Sequence, residues 1–383
     1  MFGLRRQAKT VDFRAYADQY NELARKLIKY CCTGADGGNV VISPLSVLLL
    51  LSVAADSTAG KTREEILSFL GSPEAGLMLC SLQKDLSEDY SLAFANAVCV
   101  RKGIKPTIRR SYRNLILPAY RAELFSSSHL ARDVDAWVER KTKGLISTAA
   151  PKNIDGALMC LISAVAFEAA WSNPYEDEYV RDRYFTNADG TKSRVRMLYG
   201  SEWSYIENDD FTGFTKSYCN EDLTFIALLP KQEGREAMAE AAGRIDFGKL
   251  CQSDSYVDLH TSMPEFKVEF AQELSALCKA FGMKDVFTNH ADFSPASAYP
   301  LKLDSILHKA FIDVNQKGTR AAAVTLAYAG DTCSYKPRPY KEVHIDRPFV
   351  FAIVDRKAGI PVFVGAVNHL EDAKEDPETL KRK

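Results

Sequence analysis

The stretch Leu158 to Trp171, LMCLISAVAFEAAW, constrains the fold most, because it is apolar almost throughout and carries β-branched residues. As a strand it has no polar face to show to water, so it reads as a central strand of a sheet covered on both faces. The C-terminal region repeats the pattern. Phe349-Val-Phe-Ala-Ile-Val354, a turn at Lys357-Ala358-Gly359, and Pro361-Val-Phe-Val-Gly-Ala-Val367 read as a buried hairpin. Between Tyr184 and Pro230, short strand-like runs alternate with turn signals such as Asn187-Ala188-Asp189-Gly190.

Helices are marked by a different period. Tyr16, Tyr20, Leu23, Leu27 and Tyr30 recur at spacings of three and four, and Gly34 with Gly37-Gly38 stops the run. Val40-Val41-Ile42 reads as a short strand, after which Ser43-Pro44 caps an apolar, buried helix through about Ala55. Thr62 and Glu65 have the spacing of a capping box for a helix over Arg63 to Leu70, closed by Gly71. Val134 to Ile146 reads as an amphipathic helix with Trp137 on its apolar face and Gly144 at its end.

With 46% hydrophobic and 26% charged residues, the chain can bury a large core and keep a wetted surface, which excludes the disordered and fibrous classes. Lys plus Arg (49) nearly cancel Asp plus Glu (50), so no net field draws it to nucleic acid or an anionic membrane. The most apolar run, Val47 to Ala55, is far shorter than the ~18 residues of a membrane span. Nine Cys without a CxxC pair suggest reduced thiols and no zinc site. No linker or repeat interrupts the chain, so one large α+β domain over 11–370 with a charged tail at 371–383 is expected. The N-terminus lacks a signal-peptide core and no Asn-x-Ser/Thr sequon occurs, so a cytoplasmic location is expected, or an extracellular one if a signal peptide has been removed.

One enzyme motif is imitated without its context. Ala55 to Thr62 (ADSTAGKT) resembles a phosphate-binding loop, but such a loop must leave a strand, and the residues before Gly60 run helically. Gly60 therefore reads as a helix terminator. The six His show neither HExxH nor paired ligand spacing, and no Gly-x-Ser-x-Gly elbow accompanies them. His308, beside Ile306-Leu307 and Ala310-Phe311, reads as a hydrogen-bonded core histidine.

The segment Gly318-Thr319-Arg320-Ala321-Ala322-Ala323-Val324-Thr325-Leu326-Ala327-Tyr328-Ala329-Gly330 reads two ways. As a helix it has an N-cap in Thr319, helix-forming alanines and a stop in Gly330. As a strand, Thr319, Ala321, Ala323, Thr325 and Ala327 form one face of small uncharged side chains, with Arg320, Val324, Leu326 and Tyr328 on the other. Such a strand can slide between two others without burying a charge. Asp331 to Tyr340 is polar, turn-rich and exposed in either reading.

Over roughly residues 12 to 370 these features resemble the serpin family. Asn39 to Ser46 is similar to its strand and helix start at the shutter, and Trp137 to Ile146 to the helix over its main sheet. Phe167 and Trp171 resemble the end of the strand at the breach. Leu307-His308-Lys309-Ala310, then Gly318-Thr319 and the alanine run, resembles the shutter histidine and the reactive-loop hinge. Arg347 to Phe351 with Pro361 to Val367 resembles the closing core hairpin. The resemblance implies three β-sheets, about nine helices and an exposed loop that a protease cuts and that then inserts as a new strand in the central sheet. It places Ser43, Ser46, Ser163 and His308 in the shutter, Trp171 in the breach, and Gly318, Thr319, Arg320, Ala321, Ala322 and Ala323 in the hinge.

The implied function is inhibition by suicide substrate. A serine protease, or a cysteine protease, is trapped as an acyl-enzyme, and the chain supplies folding energy but no catalytic group and no cofactor. A binding or chaperone protein of the same fold is the alternative. The reactive bond is expected at Thr332-Cys333, with Tyr335-Lys336 second, since Lys336 and Arg338 each precede a proline, which lacks an N–H. The first choice points to an elastase-like or subtilisin-like target. A monomer is expected, without nucleic-acid or membrane partners. Three positions depart from the family pattern: Ser163 where Asn is common, Glu265 and Gln316 where Lys and Glu commonly pair, and Arg320 for a usual hinge Glu.

Overall fold

Met159–Phe167 is a strand with all nine residues buried, as its lack of a polar face requires. It belongs to a computed structural model that describes residues 13–34, 37–89, 92–146, 154–202, 204–252, 255, 257–319 and 338–373. Among the described residues there are nine α-helices and three β-sheets of six, four and seven strands, the α+β architecture the resemblance implies. Hinge residues Arg320, Ala321, Ala322 and Ala323, and Thr332, Cys333, Tyr335 and Lys336 of the two bait bonds, lie outside the described residues.

The chain divides into two compact units, each built from separate stretches. The first comprises Met1–Ala24, Ile42–Phe167 and Glu269–Phe311. In it Met159–Phe167 pairs antiparallel with Leu92–Arg101, which pairs parallel with Ala122–Ser127. On its other side it pairs parallel with Ser305 to Phe311, from Ser305 opposite Cys160 to Phe311 opposite Ala166. One face of this sheet packs on the helix Leu130–Lys141, whose Leu130, Val134, Trp137 and Val138 join Ala97, Cys160, Ile162 and Leu307 in one core cluster. That helix starts four residues before the stretch its sequence marks, because Leu130 extends the apolar stripe by one turn.

The helix Pro44–Ser57 is buried along nearly its whole surface, as a helix apolar all round must be. Ser43 caps it in extended conformation and accepts the Ser46 N–H at 3.4 Å, with Pro44 at the first helical position. Two expectations for the following helix need correction. Gly60 begins the helix Gly60–Leu70 and does not end one, with two residues between it and the end of the preceding helix at Ser57. Thr62 and Glu65 make no capping box. Thr62 donates to the Asp285 carboxylate, and Glu65 accepts the backbone N–H groups of Lys284 and Asp285, both at 2.8 Å. Tertiary partners outcompete the local cap because they satisfy the orphan donors of another short helix, Asp285–Phe287. A helix before Gly60 in place of a strand also denies Ala55 to Thr62 the geometry of a phosphate loop. Gly71 closes the helix in the left-handed region at φ +75°, as read from the sequence.

The second unit comprises Arg25–Val41, Glu168–Val268 and Ile312–Lys383. Phe349–Asp355 and Ile360–Val367 form the expected hairpin, every residue buried, flanked by Val40–Ile42 and Leu223–Pro230. Gly365 is required there by close approach, since a Cβ would lie 2.4 Å from the Val40 carbonyl oxygen. The four-stranded sheet runs Tyr340–His344, Asp258–Pro264, Lys192–Glu202, Val180–Thr186, the first two in parallel. The eight described cysteines are free thiols, in line with the absence of paired spacings.

Candidate functional site

Two clusters along the course of Ser305–Asn315 carry the predicted site residues. In the first unit, cross-strand register sets Asn96 opposite Ser163 and Ser163 opposite His308, a polar row across three neighbouring strands. Directly opposed residues share a face. This face is opposite the one bearing Ala97, Ile162 and Leu307, because side chains alternate along a strand. His308 is fully buried, and its Nε2 accepts the Ser43 backbone N–H at 3.1 Å. The structure thus brings Ser43, Ser163 and His308 together. Ser46 serves the helix cap through its backbone N–H. Asn96 is a member of the row that sequence reasoning missed; the only signal was a lone amide in the apolar run Leu92–Arg101.

The row is under-satisfied. His308 Nδ1, the Ser163 and Ser46 hydroxyls and both polar atoms of the Asn96 amide have no hydrogen-bond partner among the described residues. Each such buried group costs about 1–3 kcal/mol. Burial pushes the His308 imidazole down to about 3. Since Nε2 accepts, the neutral ring carries its proton on Nδ1, and a second proton would face the Ser43 N–H donor.

Two predictions follow from this row. The depressed folded pKa means that the unfolded chain binds the extra proton more readily. The stability is present above the unfolded value of 6.5 and is lost as pH falls toward the folded value. Between about pH 6.5 and pH 5 the chain should lose about 1.5 kcal/mol relative to a His308→Gln variant in denaturant unfolding; parallel pH profiles would show that His308 is not held neutral. Ser163→Asn places a carboxamide oxygen near the His308 Nδ1–H, and a gain of about 1 kcal/mol is expected from the satisfied pair. Unchanged or reduced stability in the same assay would mean that the longer side chain finds no partner there.

The second cluster lies in the second unit, where Gly318–Thr319 forms a two-residue strand. It is antiparallel to Val314–Asn315 on one side and to Ala169–Ala170 on the other. Of the two readings of this segment, the described part takes the strand. Thr319 is fully buried, and its hydroxyl lies 2.6 Å from the Tyr218 hydroxyl. Trp171, also buried, donates its indole N–H to the Asn315 carbonyl at 2.9 Å and its backbone N–H to Lys317 at 3.0 Å. Its ring stacks on Tyr218 at 4.5 Å and meets Phe225 edge-on at 5.6 Å. These contacts hold the turn before Thr319 against a wall of aromatic rings.

The altered pair at Glu265 and Gln316 acquires a third partner. Arg196 Nε lies 3.3 Å from Glu265, its guanidinium reaches the Gln316 side-chain oxygen at 3.3 Å, and Glu265 accepts the Gln316 backbone N–H at 3.1 Å. An ion pair is therefore present at Glu265, with its cation drawn from the strand Lys192–Glu202. Burial raises the Glu265 carboxyl, and Arg196 offsets part of that. A second ion pair unseen in the sequence joins Lys216 to Glu202 at 2.6 Å, with both side chains buried. The Lys216 ammonium sits 4.2 Å from the Tyr175 ring centroid and 5.7 Å from that of Trp171. A lysine within the alternating strand Phe211–Ser217 was its one visible trace.

Comparison with known proteins agrees with this geometry. A family model described as serpin (serine protease inhibitor) matches residues 18–370. Serpin-Z10 of Arabidopsis thaliana is 29% identical over 378 residues, covering 91% of this chain and 97% of that protein. Among solved structures, the thermophilic serpin tengpin in its native state superposes with a TM-score of 0.83 at 29% identity, covering 95% of this chain and 96% of that one. Human thyroxine-binding globulin has a TM-score of 0.82 at 22% identity, covering 94% and 100%. Serpins are generally protease inhibitors and not catalysts, although the fold also serves binding proteins such as that globulin. The family match, spanning the polar row, the aromatic wall and the hairpin core, establishes that this chain belongs to the serpin family.

Proposed function

We propose that the chain is an inhibitory serpin that traps a serine protease by inserting the stretch after Gly318 into its seven-stranded sheet. The observation that carries this reading is the strand Gly318–Thr319, which already separates the continuations of two strands that pair directly farther along. Met159–Phe167 and Ser305 to Phe311 are parallel neighbours. A strand continuing from Thr319 would run antiparallel to both. One parallel ladder, the less stable kind per residue, would be replaced by two antiparallel ladders. The stretch from Thr319 to Thr332 would add roughly 40 Å of strand. It would also part Ser163 from His308, so the under-satisfied row is a set of contacts that insertion can discard at little loss.

In the chemistry proposed, the protease serine oxygen attacks the Thr332 carbonyl carbon. An ester to the protease forms, the Thr332-Cys333 amide bond breaks, and the Cys333 amine leaves with a proton. Insertion then carries the tethered protease away before water releases it. Thr332 suits the small specificity pocket of an elastase-like or subtilisin-like enzyme; Tyr335-Lys336 as the bond would suit a chymotrypsin-like one. Fold alone does not imply trapping. Incubation with elastase-like, subtilisin-like, chymotrypsin-like and trypsin-like proteases should yield an SDS-resistant complex with at least one. If every protease cuts the loop and stays active, the chain does not inhibit.

A further inference from the structure

The chain has a net charge of −1, yet its charges are unevenly spread. Residues 101–121 hold seven Lys or Arg and no Asp or Glu. Lys102, Lys105, Arg109, Arg110 and Arg113 are all exposed, and none of them forms an ion pair among the described residues. Exposed cations elsewhere are matched, as Arg194 is by Asp182 and Arg244 by Asp210 at 2.6 Å. Like charges gathered without counter-charges repel one another, and a bound anionic group relieves that repulsion.

The segment is fastened to the first unit, which keeps the cations together. The Lys102 backbone N–H donates to the Ser127 carbonyl at 2.8 Å, the Arg109 N–H to Ala296 at 2.8 Å, and the Ala298 N–H to Thr107 at 2.9 Å. The Thr107 and Ser297 hydroxyls lie 3.0 Å apart. Arg109 Nε donates to the Ser294 carbonyl at 2.6 Å, which fixes the guanidinium and leaves its terminal amino groups for an outside acceptor. A guanidinium held in this way loses less side-chain entropy when a carboxylate binds.

The surroundings define the partner. Ser127, beside Lys102, donates its hydroxyl to Asp133 at 2.6 Å, and Asp155 accepts the Ala131 N–H at 2.9 Å, so carboxylates border the patch on this side. A long nucleic acid or sulfated polysaccharide would run from the cations onto these carboxylates, whereas an acidic peptide of a few residues would not. Tyr299 and Pro106 are exposed and add apolar surface that protein side chains can cover. The patch adjoins the first residues of the central strand, where Arg101 donates to Leu158, while the chain reaches the hinge from the last residues of the parallel neighbour Ser305–Asn315. We propose that residues 102–113 dock an acidic stretch of a protein partner other than the protease. This stands independently of the inhibitory reading.

The test uses the full chain and fluorescent probes followed by anisotropy: a glutamate-rich peptide containing tyrosine, its glutamine counterpart, a thymidine oligonucleotide and a heparin oligosaccharide. At low ionic strength the glutamate peptide should bind saturably and about tenfold or more tighter than the glutamine peptide. Arg110→Glu combined with Arg113→Glu should weaken it by about tenfold or more, and the neutral pair Arg110→Gln with Arg113→Gln by less, with the unfolding temperature unchanged. Lys192→Glu with Lys249→Glu, the same change of charge in the second unit, should weaken it by less than about twofold. Equal binding of the two peptides, or equal loss in the two charge-reversed variants, overturns the site. If the oligonucleotide or heparin binds more tightly than the glutamate peptide and loses that affinity in Arg110→Glu with Arg113→Glu, the partner is a phosphate or sulfate polymer and the protein partner is overturned. With a protease that forms the SDS-resistant complex, saturating glutamate peptide should leave the rate of trapping unchanged; a slower rate would assign the patch to the protease and overturn a separate partner.

Discussion

Ala321→Arg is expected to abolish the proposed trapping, with no SDS-resistant complex and free protease after loop cleavage, whereas Arg320→Glu should leave it intact. The contrast rests on the period of two along a strand. Thr319, the last described residue before the loop, is buried against Tyr218, so in a continuing strand position 321 points to the same inner face and position 320 away from it. An unpaired charge buried on insertion costs several kcal/mol. At about 1.4 kcal/mol per factor of ten, that slows insertion a hundredfold or more, enough for hydrolysis of the acyl-enzyme to win. Cleaved wild type should also unfold at a higher temperature than the intact chain, and cleaved Ala321→Arg should not. Trapping by Ala321→Arg as efficient as by wild type would mean that the segment does not insert with this face inward.

Lys216→Met should destabilise the native chain by about 3–5 kcal/mol, the second large effect expected. Glu202 and Lys216 are 9% and 4% exposed, and burial already raises the Glu202 carboxyl despite the ammonium beside it. Methionine fills the space but leaves the carboxylate buried without its partner, and it removes the cation held over Tyr175 and Trp171. Lys216→Met combined with Glu202→Leu should recover most of the loss, since replacing both members of a buried pair with apolar groups is often close to neutral. Denaturant unfolding of the two single variants and the double variant measures the coupling. A loss below about 1 kcal/mol in Lys216→Met would show that the pair contributes little to stability.

The elements that sequence alone revealed were those with a strong period or a strong cap. The central strand, the hairpin Phe349–Asp355 with Ile360–Val367, the capped helix Pro44–Ser57 and the glycine stop at Gly71 all lie where patterning puts them. The capping box at Thr62 and Glu65 failed because both side chains serve residues more than 200 positions away. No local pattern can weigh a distant partner against a near one. The same limit hid the Arg196 to Glu265 pair: the departures at Glu265 and Gln316 were visible, but a cation arriving from the strand Lys192–Glu202 was not.

Composition, hydrophobic period and turn chemistry by themselves pointed to the α+β class and the covered central strand, because each depends only on neighbours along the chain, whereas the segment after Gly318 read equally as helix or strand. Tertiary structure decided the rest. Register across three strands aligned Asn96, Ser163 and His308, and the packing of Trp171 and Tyr218 placed Thr319 between two strands. Folding joined Lys216 to Glu202. Those arrangements depend on pairing between residues far apart in sequence, where the free energy of a contact is set by burial and register and leaves little mark on the residues to either side.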